Sequence, residues 1–246
     1  MTITVNCLTG TQVIADAPSP CEDVTNTFPV TPSGLVLSIL MDDVLMLTAS
    51  VPSTDPLYIA TGLQSIFGVK NDQVDWGFDD WANGDGTVDA FNDAFTRANA
   101  ANLGAGWTQT DVGGLSSNIR VNSNKLKGAD KAIVANDTVL ALATPVTATA
   151  IGDQHSKLKW TTFGGLNSTP VRPTVRGNGT DITTWIGYYM IFQTTGVNEP
   201  EEDHWIYDLK ICHFNKNTNT ETVLSSLLSQ SLLIGTFPTF TFKAIG

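Results

Sequence analysis

Charge is scarce in this chain. Lys, Arg, Asp and Glu make up 15% of its 246 residues, well below the quarter usual for a soluble domain, so solubility has to come from Thr, Ser, Asn and Gln. Positive charge is scarcer still: 13 Lys and Arg stand against 24 Asp and Glu, a formal net charge of −11. A surface of that sign repels a phosphate backbone and has few cations with which to displace counterions, so nucleic acid is a poor partner. Cysteine is nearly absent. Cys7, Cys21 and Cys212 are odd in number and lack C-x-x-C spacing, which argues against a zinc knuckle or a dense disulfide framework and leaves small buried hydrophobes as their default role. Long apolar runs are missing as well: residues 35–47 are interrupted by Asp42 and Asp43 and are too short to span a bilayer, so no membrane insertion is expected. The opening residues MTITVNCLTGTQ hold no basic region followed by an apolar run, and no secretory signal is read there.

What is present is enough for a real core, with hydrophobic residues at 41%, 6 Trp and 11 Phe. The chain divides by pattern. Residues 1–34 are rich in Pro and polar residues, as in ADAPSPCEDVTNTFPVTPSG, which forbids a long helix and reads as an extended arm. Residues 35–88 carry apolar blocks separated by Asp-Asp and PSTDP; periodicity does not choose between buried strands and two short helices, and the segment is read as a small mixed domain for attachment. Residues 89–246 hold period-two segments bounded by Gly, Asn, Asp and Pro. In HSKLKW, Leu158 and Trp160 share one face and Lys157 and Lys159 the other; in HWIYDLKICHF, Trp205, Tyr207, Leu209 and Ile211 share a face. TTWIGYYMIFQTT is apolar on both faces, as a central strand would be. The expected fold is mainly β, an antiparallel sandwich behind an arm and a small mixed domain.

Within residues 89–246, Asp93-x-Phe95-x-Arg97-Ala98-Asn99, then Leu103-Gly104-x-x-Trp107, Gly113-Gly114 and Ile119-Arg120-Val121 resemble the leading edge of concanavalin A-like, laminin-G-like jelly-roll domains, many of which sit in bacteriophage structural proteins and carbohydrate-binding modules. The residues make physical sense in such a place: Phe95 and Trp107 as core aromatics, Arg97 forking onto a carboxylate or backbone carbonyls at the sandwich edge. Domains of this kind continue past the strand that FTFKAIG represents, whereas this sequence stops at Gly246. The alternatives are a natural end beyond it, completion of the sandwich by the amino-terminal segment, or completion by a neighbouring subunit, since an open sheet edge is a pairing template.

Few residues suggest chemistry. In NGDGTVDAFND, Asn83, Asp85 and Asp89 stand at three ligand spacings of an EF-hand or dockerin loop, with Gly86 at its turn and Val88 in its apolar place. Trp81 replaces the first Asp and Asn92 the bidentate twelfth ligand, so a turn is the default and Ca²⁺ is the one cofactor weighed. The five glutamates, Glu22, Glu199, Glu201, Glu202 and Glu221, form no facing pair of the kind glycosidases need. NEPEEDH reads as a solvated turn, and His155, His204 and His213 have no serine elbow or cysteine partner at recognisable spacing. No enzyme is expected. Trp185, Tyr188, Tyr189 and Trp205 are the candidates for stacking on a sugar ring, with core packing their default because they lie in dense apolar strands.

The resemblance implies a non-enzymatic bacteriophage virion protein, anchored to other capsid or tail proteins by its N-terminal region and projecting a jelly roll as a decoration or fibre module. A homo-oligomer is expected, a trimer in particular, assembled in the host cytoplasm into the virion. The alternative is an adhesin or carbohydrate-binding module that recognises host surface glycan.

Overall fold

A computed structural model describes residues 34–68, 77–85, 89–100, 102–111, 119–128, 141–147, 152–162, 171–178, 184–197 and 203–246. The arm at 1–33, Gly86 and Val88 of the calcium-like loop, Gly113-Gly114 and residues 198–202 lie outside them. Among the described residues there are only strands, turns and irregular segments, with no helix. In chain order the strands are β1 Gly34–Met41, β2 Val44–Pro52, β3 Leu63–Gly68, β4 Gly77–Gly84, β5 Asp89–Asp93, β6 Trp107–Asp111, β7 Ile119–Asn122, β8 Lys125–Gly128, β9 Ala141–Pro145, β10 Gln154–Thr162, β11 Val171–Gly177, β12 Ile186–Val197, β13 His204–Asn215, β14 Thr220–Leu233 and β15 Thr239–Ile245.

They make two antiparallel sheets. The first runs β2-β1-β15-β10-β4-β8-β7, with β5 also paired to β4; the second runs β14-β13-β12-β11-β3-β9-β6. The sheets share one core. Phe192 of β12 meets Trp160 of β10 and Phe240 of β15, each at 4.9 Å between ring centroids. At the far side Trp81 of β4 meets Trp107 of β6 at 4.8 Å. This face-to-face contact is compatible with a β-sandwich.

Period-two alternation explains which side chains enter that core. On β10, Leu158 and Trp160 are buried while Lys159 is exposed; on β13, Tyr207, Leu209 and Ile211 point inward. β12 is buried on both faces: Tyr188, Met190 and Phe192 join the shared core, and Tyr189 and Ile191 join a second cluster with Leu142, Trp185, Cys212 and Phe214. Burial there pushes the Cys212 thiol up to about 12, so it stays a neutral, inert hydrophobe.

The described residues of 35–88 are not set apart as a small mixed domain. Residues Gly34–Gly246 are a single compact unit, and β1 to β4 are strands of the two sheets. Leu35, Leu37 and Ile39 are buried while Val36 is 44% exposed, an alternation that the continuous apolar run GLVLSILM conceals. Asp42 and Asp43, at φ 48° and 65°, turn the chain from β1 into β2 as a two-residue hairpin, a geometry usually marked by Asn-Gly. β15 is not an edge: β10 pairs with one side of it and β1 with the other. Residues Gly34–Met41 of β1 lie beside FTFKAIG.

The connection from β2 to β3 crosses between the sheets and is held by Arg176 of β11. Its side chain, fully buried, donates from Nη1 to the carbonyls of Ile59 and Ala60 at 2.9 and 2.6 Å, and from Nη2 to that of Gly246 at 2.7 Å. The Tyr188 hydroxyl donates to the Leu57 carbonyl and accepts from the Ile59 N–H at 3.0 Å. Burial pushes that hydroxyl up to about 12, so it remains a donor throughout the ordinary pH range.

Candidate functional site

The residues of the motif at 93–107 converge on one carboxylate. Asp93, the last residue of β5, accepts a two-pronged bond from Arg97, Nη1 to Oδ1 at 2.6 Å and Nη2 to Oδ2 at 2.8 Å. Trp107 Nε1 donates to the same Oδ2 at 2.7 Å, and the Phe95 N–H to Oδ1 at 2.8 Å. Arg97 Nη2 also reaches the Leu103 carbonyl at 2.7 Å. Phe95 is fully buried at φ 53°, a left-handed conformation that costs a bulky residue of order 1 kcal/mol or more and persists only where its surroundings enforce it. Here the Asp93 carboxylate in front, the Trp107 ring at 6.2 Å and the Arg97 guanidinium 5.5 Å above its own ring enforce it. Gly104 sits at φ 85° with open space around it, so its requirement is conformational, not steric. Asn99 Oδ1 accepts from the Ser123 N–H at 2.8 Å, tying the segment to the β7–β8 turn. Burial works to raise the Asp93 pKa, but the bonds from Arg97, Trp107 and Phe95 outweigh it and hold the carboxyl below its ordinary value of 3.8.

Beside this clasp, over the solvent side of β4, β5 and β10, lies an open groove of about 410 Å³ lined by Asp80, Asp89, Asn92, Lys157, Lys159 and Thr239. Its floor follows from register: Lys157 stands opposite Ala82 on one side and Thr241 on the other, Lys159 opposite Thr239. Among the described residues neither lysine forms an ion pair, while Asp89 is bonded to the buried His155, Nε2 to Oδ1 at 2.7 Å. The groove thus offers charges of both signs, an amide and a hydroxyl, the donor set of a polar recognition surface. Ser156, next to His155, faces the opposite way and accepts from Trp81 Nε1 at 3.0 Å, so it gives the His155–Asp89 pair no nucleophile.

The other residues singled out from the sequence are dispersed. Trp185 and Tyr188 are fully buried, and Trp205 of β13 is half-buried; the first two have no ring face open to solvent for stacking. Asn83 is buried on β4, Asp85 is exposed, and Asp89 is engaged by His155. Among the described residues no group of three or more His, Cys, Asp or Glu is placed to hold a metal ion. Two polar groupings are invisible in sequence order. One is the Arg176 clamp. In the other, Arg172 pairs with Glu221 at 2.9 Å and lies 4.5 Å over the Tyr189 ring, whose hydroxyl donates to the same Glu221. The signal available was the pair of arginines inside the strand VRPTVRG, since a buried guanidinium has to find partners. Compared with protein-family models, curated proteins and solved structures, the chain matches none.

Proposed function

We propose that the chain is a non-enzymatic structural protein of a bacteriophage particle, anchored through its N-terminal region and projecting the β-rich unit, a jelly-roll sandwich in this reading, as a capsid decoration or fibre module. The observation that supports it is the clasp around Asp93. The residues that carry the resemblance spend polar atoms on holding the fold, Arg97 and Trp107 on Asp93 and Asn99 on the Ser123 N–H. A motif used in this way defines a scaffold and reserves no group for a reaction. The test is mass spectrometry of particles purified from lysates of the bacterium that encodes the chain. Its peptides are expected at a fixed stoichiometry to the major shell protein; recovery only in the particle-free fraction would sink the proposal.

A second reading, a module that binds host surface glycan, is favoured by the groove, where Lys157 and Lys159, without ion-pair partners among the described residues, stand near Asn92 and Thr239. In this reading sugar hydroxyls and acidic groups meet those side chains, not the aromatics of the core. Binding on a glycan array is expected to fall at least about tenfold in Lys157→Ala or Asn92→Ala, a loss of roughly 1.4 kcal/mol, with unfolding temperature unchanged. An array that stays blank with the unaltered protein disposes of the reading.

A further inference from the structure

We propose that the side of the molecule bordered by β2 and β14 is a contact between two copies of this chain, formed by antiparallel apposition of two β14 edges about a two-fold axis. β14 closes one end of the second sheet, and among the described residues it pairs only with β13. Its 14 residues are exposed or half-buried except Leu232. An edge of that length presents a row of N–H and C=O groups to solvent, which proteins usually guard with charge, especially Lys, or with Pro.

This edge has neither guard. Glu221 is its one charged residue, at its start and engaged by Arg172; from Thr222 to Phe242 the sequence holds no Lys, Arg, Asp or Glu, and no Pro before Pro238. β2, which closes the first sheet next to β14, is also without charge. The strands on the opposite side differ: β5 carries Asp89 and Asp93, β6 ends in Asp111, and β7 contains Arg120. In a chain of net charge −11, two copies repel each other over most of their surface. Apart from Glu221, β2 and β14 add no charge of their own to that repulsion, and they carry apolar surface: Val223, Leu228 and Leu233 on β14 and Val44 and Leu45 on β2 are each at least 50% exposed.

The edge is divided into short runs. Its register against β13 shifts between Tyr207 and Leu209 and between Ile211 and Cys212. At the first shift Ser229 adopts φ 55° and donates its N–H to Asp208 Oδ1 at 2.9 Å. Bulges bend a strand and limit how long a run of its edge can pair. A two-fold pair uses the same β14 edge of each copy, so it adds no third copy at that edge. The inference goes beyond the particle reading and does not depend on it, since a free-standing glycan-binding module would pair in the same way.

The experiment is sedimentation velocity of the full chain over a wide concentration range, with Val223→Lys, Leu228→Lys and the control Val146→Lys, whose site on the β9 side is 57% exposed. A species of twice the 26.3 kDa chain mass is expected for the unaltered protein and for the control, and each β14 variant is expected to weaken association at least about tenfold. Amide exchange of the unaltered protein needs no variant to fold: protection of residues 222–233 is expected to rise with concentration while that of β6 and β7 stays constant. A monomer at every concentration, a trimer, a dimer indifferent to both β14 lysines, or a dimer without added protection at 222–233 would each overturn the proposal.

Discussion

Arg176→Met is expected to lower the stability of the protein by about 4 kcal/mol, through the loss of three hydrogen bonds from one charged donor, and its unfolding temperature by roughly 12 °C for a chain of this size. Methionine roughly keeps the volume, so the loss isolates the hydrogen bonds. Three carbonyls, those of the half-buried Ile59 and of the exposed Ala60 and Gly246, would lose their donor, and an acceptor left unsatisfied away from water costs about 1–3 kcal/mol. The backbone sharpens the test. Arg176 holds φ 52°, so the site carries strain that the side chain offsets. Its own N–H is bonded at 2.6 Å to Gln154 Oε1, while the other end of that amide donates to the Gly62 carbonyl. Urea unfolding decides the matter: a loss below about 1 kcal/mol would place Arg176 among surface-like substitutions and remove it as the organiser of the β2–β3 crossing.

Asp93→Ala is the second large effect, expected at about 3 kcal/mol, because Arg97, Trp107 and the Phe95 N–H lose their common acceptor and charge-assisted bonds are the stronger kind. Its pH dependence follows from the lowered carboxyl pKa. The unfolded chain takes up a proton near 3.8, before the folded chain does, so acid favours unfolding. The contribution of Asp93 is therefore complete above that value and drains away as pH falls through the lower folded one. The stability gap between the unaltered protein and Asp93→Ala should be constant from neutral pH to about pH 5 and shrink by about pH 2.5. A gap that stays constant into acid would mean that packing around Phe95, not the carboxylate charge, is what the substitution removes.

The sequence was most legible where period and neighbourhood coincide. The two-faced β12, the inward Leu158 and Trp160 of β10, and the forked bond of Arg97 all involve partners within a few residues or an alternation of two. It was least legible where partners are distant. Leu35 to Ile39 alternate as a strand, but the apolar residues at the intervening positions of GLVLSILM blur the period, and nothing local says that β1 pairs with residues 240–245. Arg176 finds its acceptors 116 and 117 residues away. Trp185 and Tyr188 show the limit of residue type as a guide: an aromatic suited to stacking on a sugar is equally suited to filling a core, and here the neighbours on β12 and β13 decide.

The position of β15 in the first sheet sets a timetable for the nascent chain. The hairpin of β1 and β2 leaves the ribosome early, yet the strand that covers the other edge of β1 is made about two hundred residues later. For tens of seconds at bacterial or slower elongation speeds, Leu35, Leu37 and Ile39 have no sheet to enter, and a hairpin with one bare edge waits beside the ribosome. Whatever helps this chain reach its folded state in the cell has to shield that hairpin first, and a circular permutant that brought β15 ahead of β1 in the order of synthesis would shorten the wait while keeping the strand pairing intact.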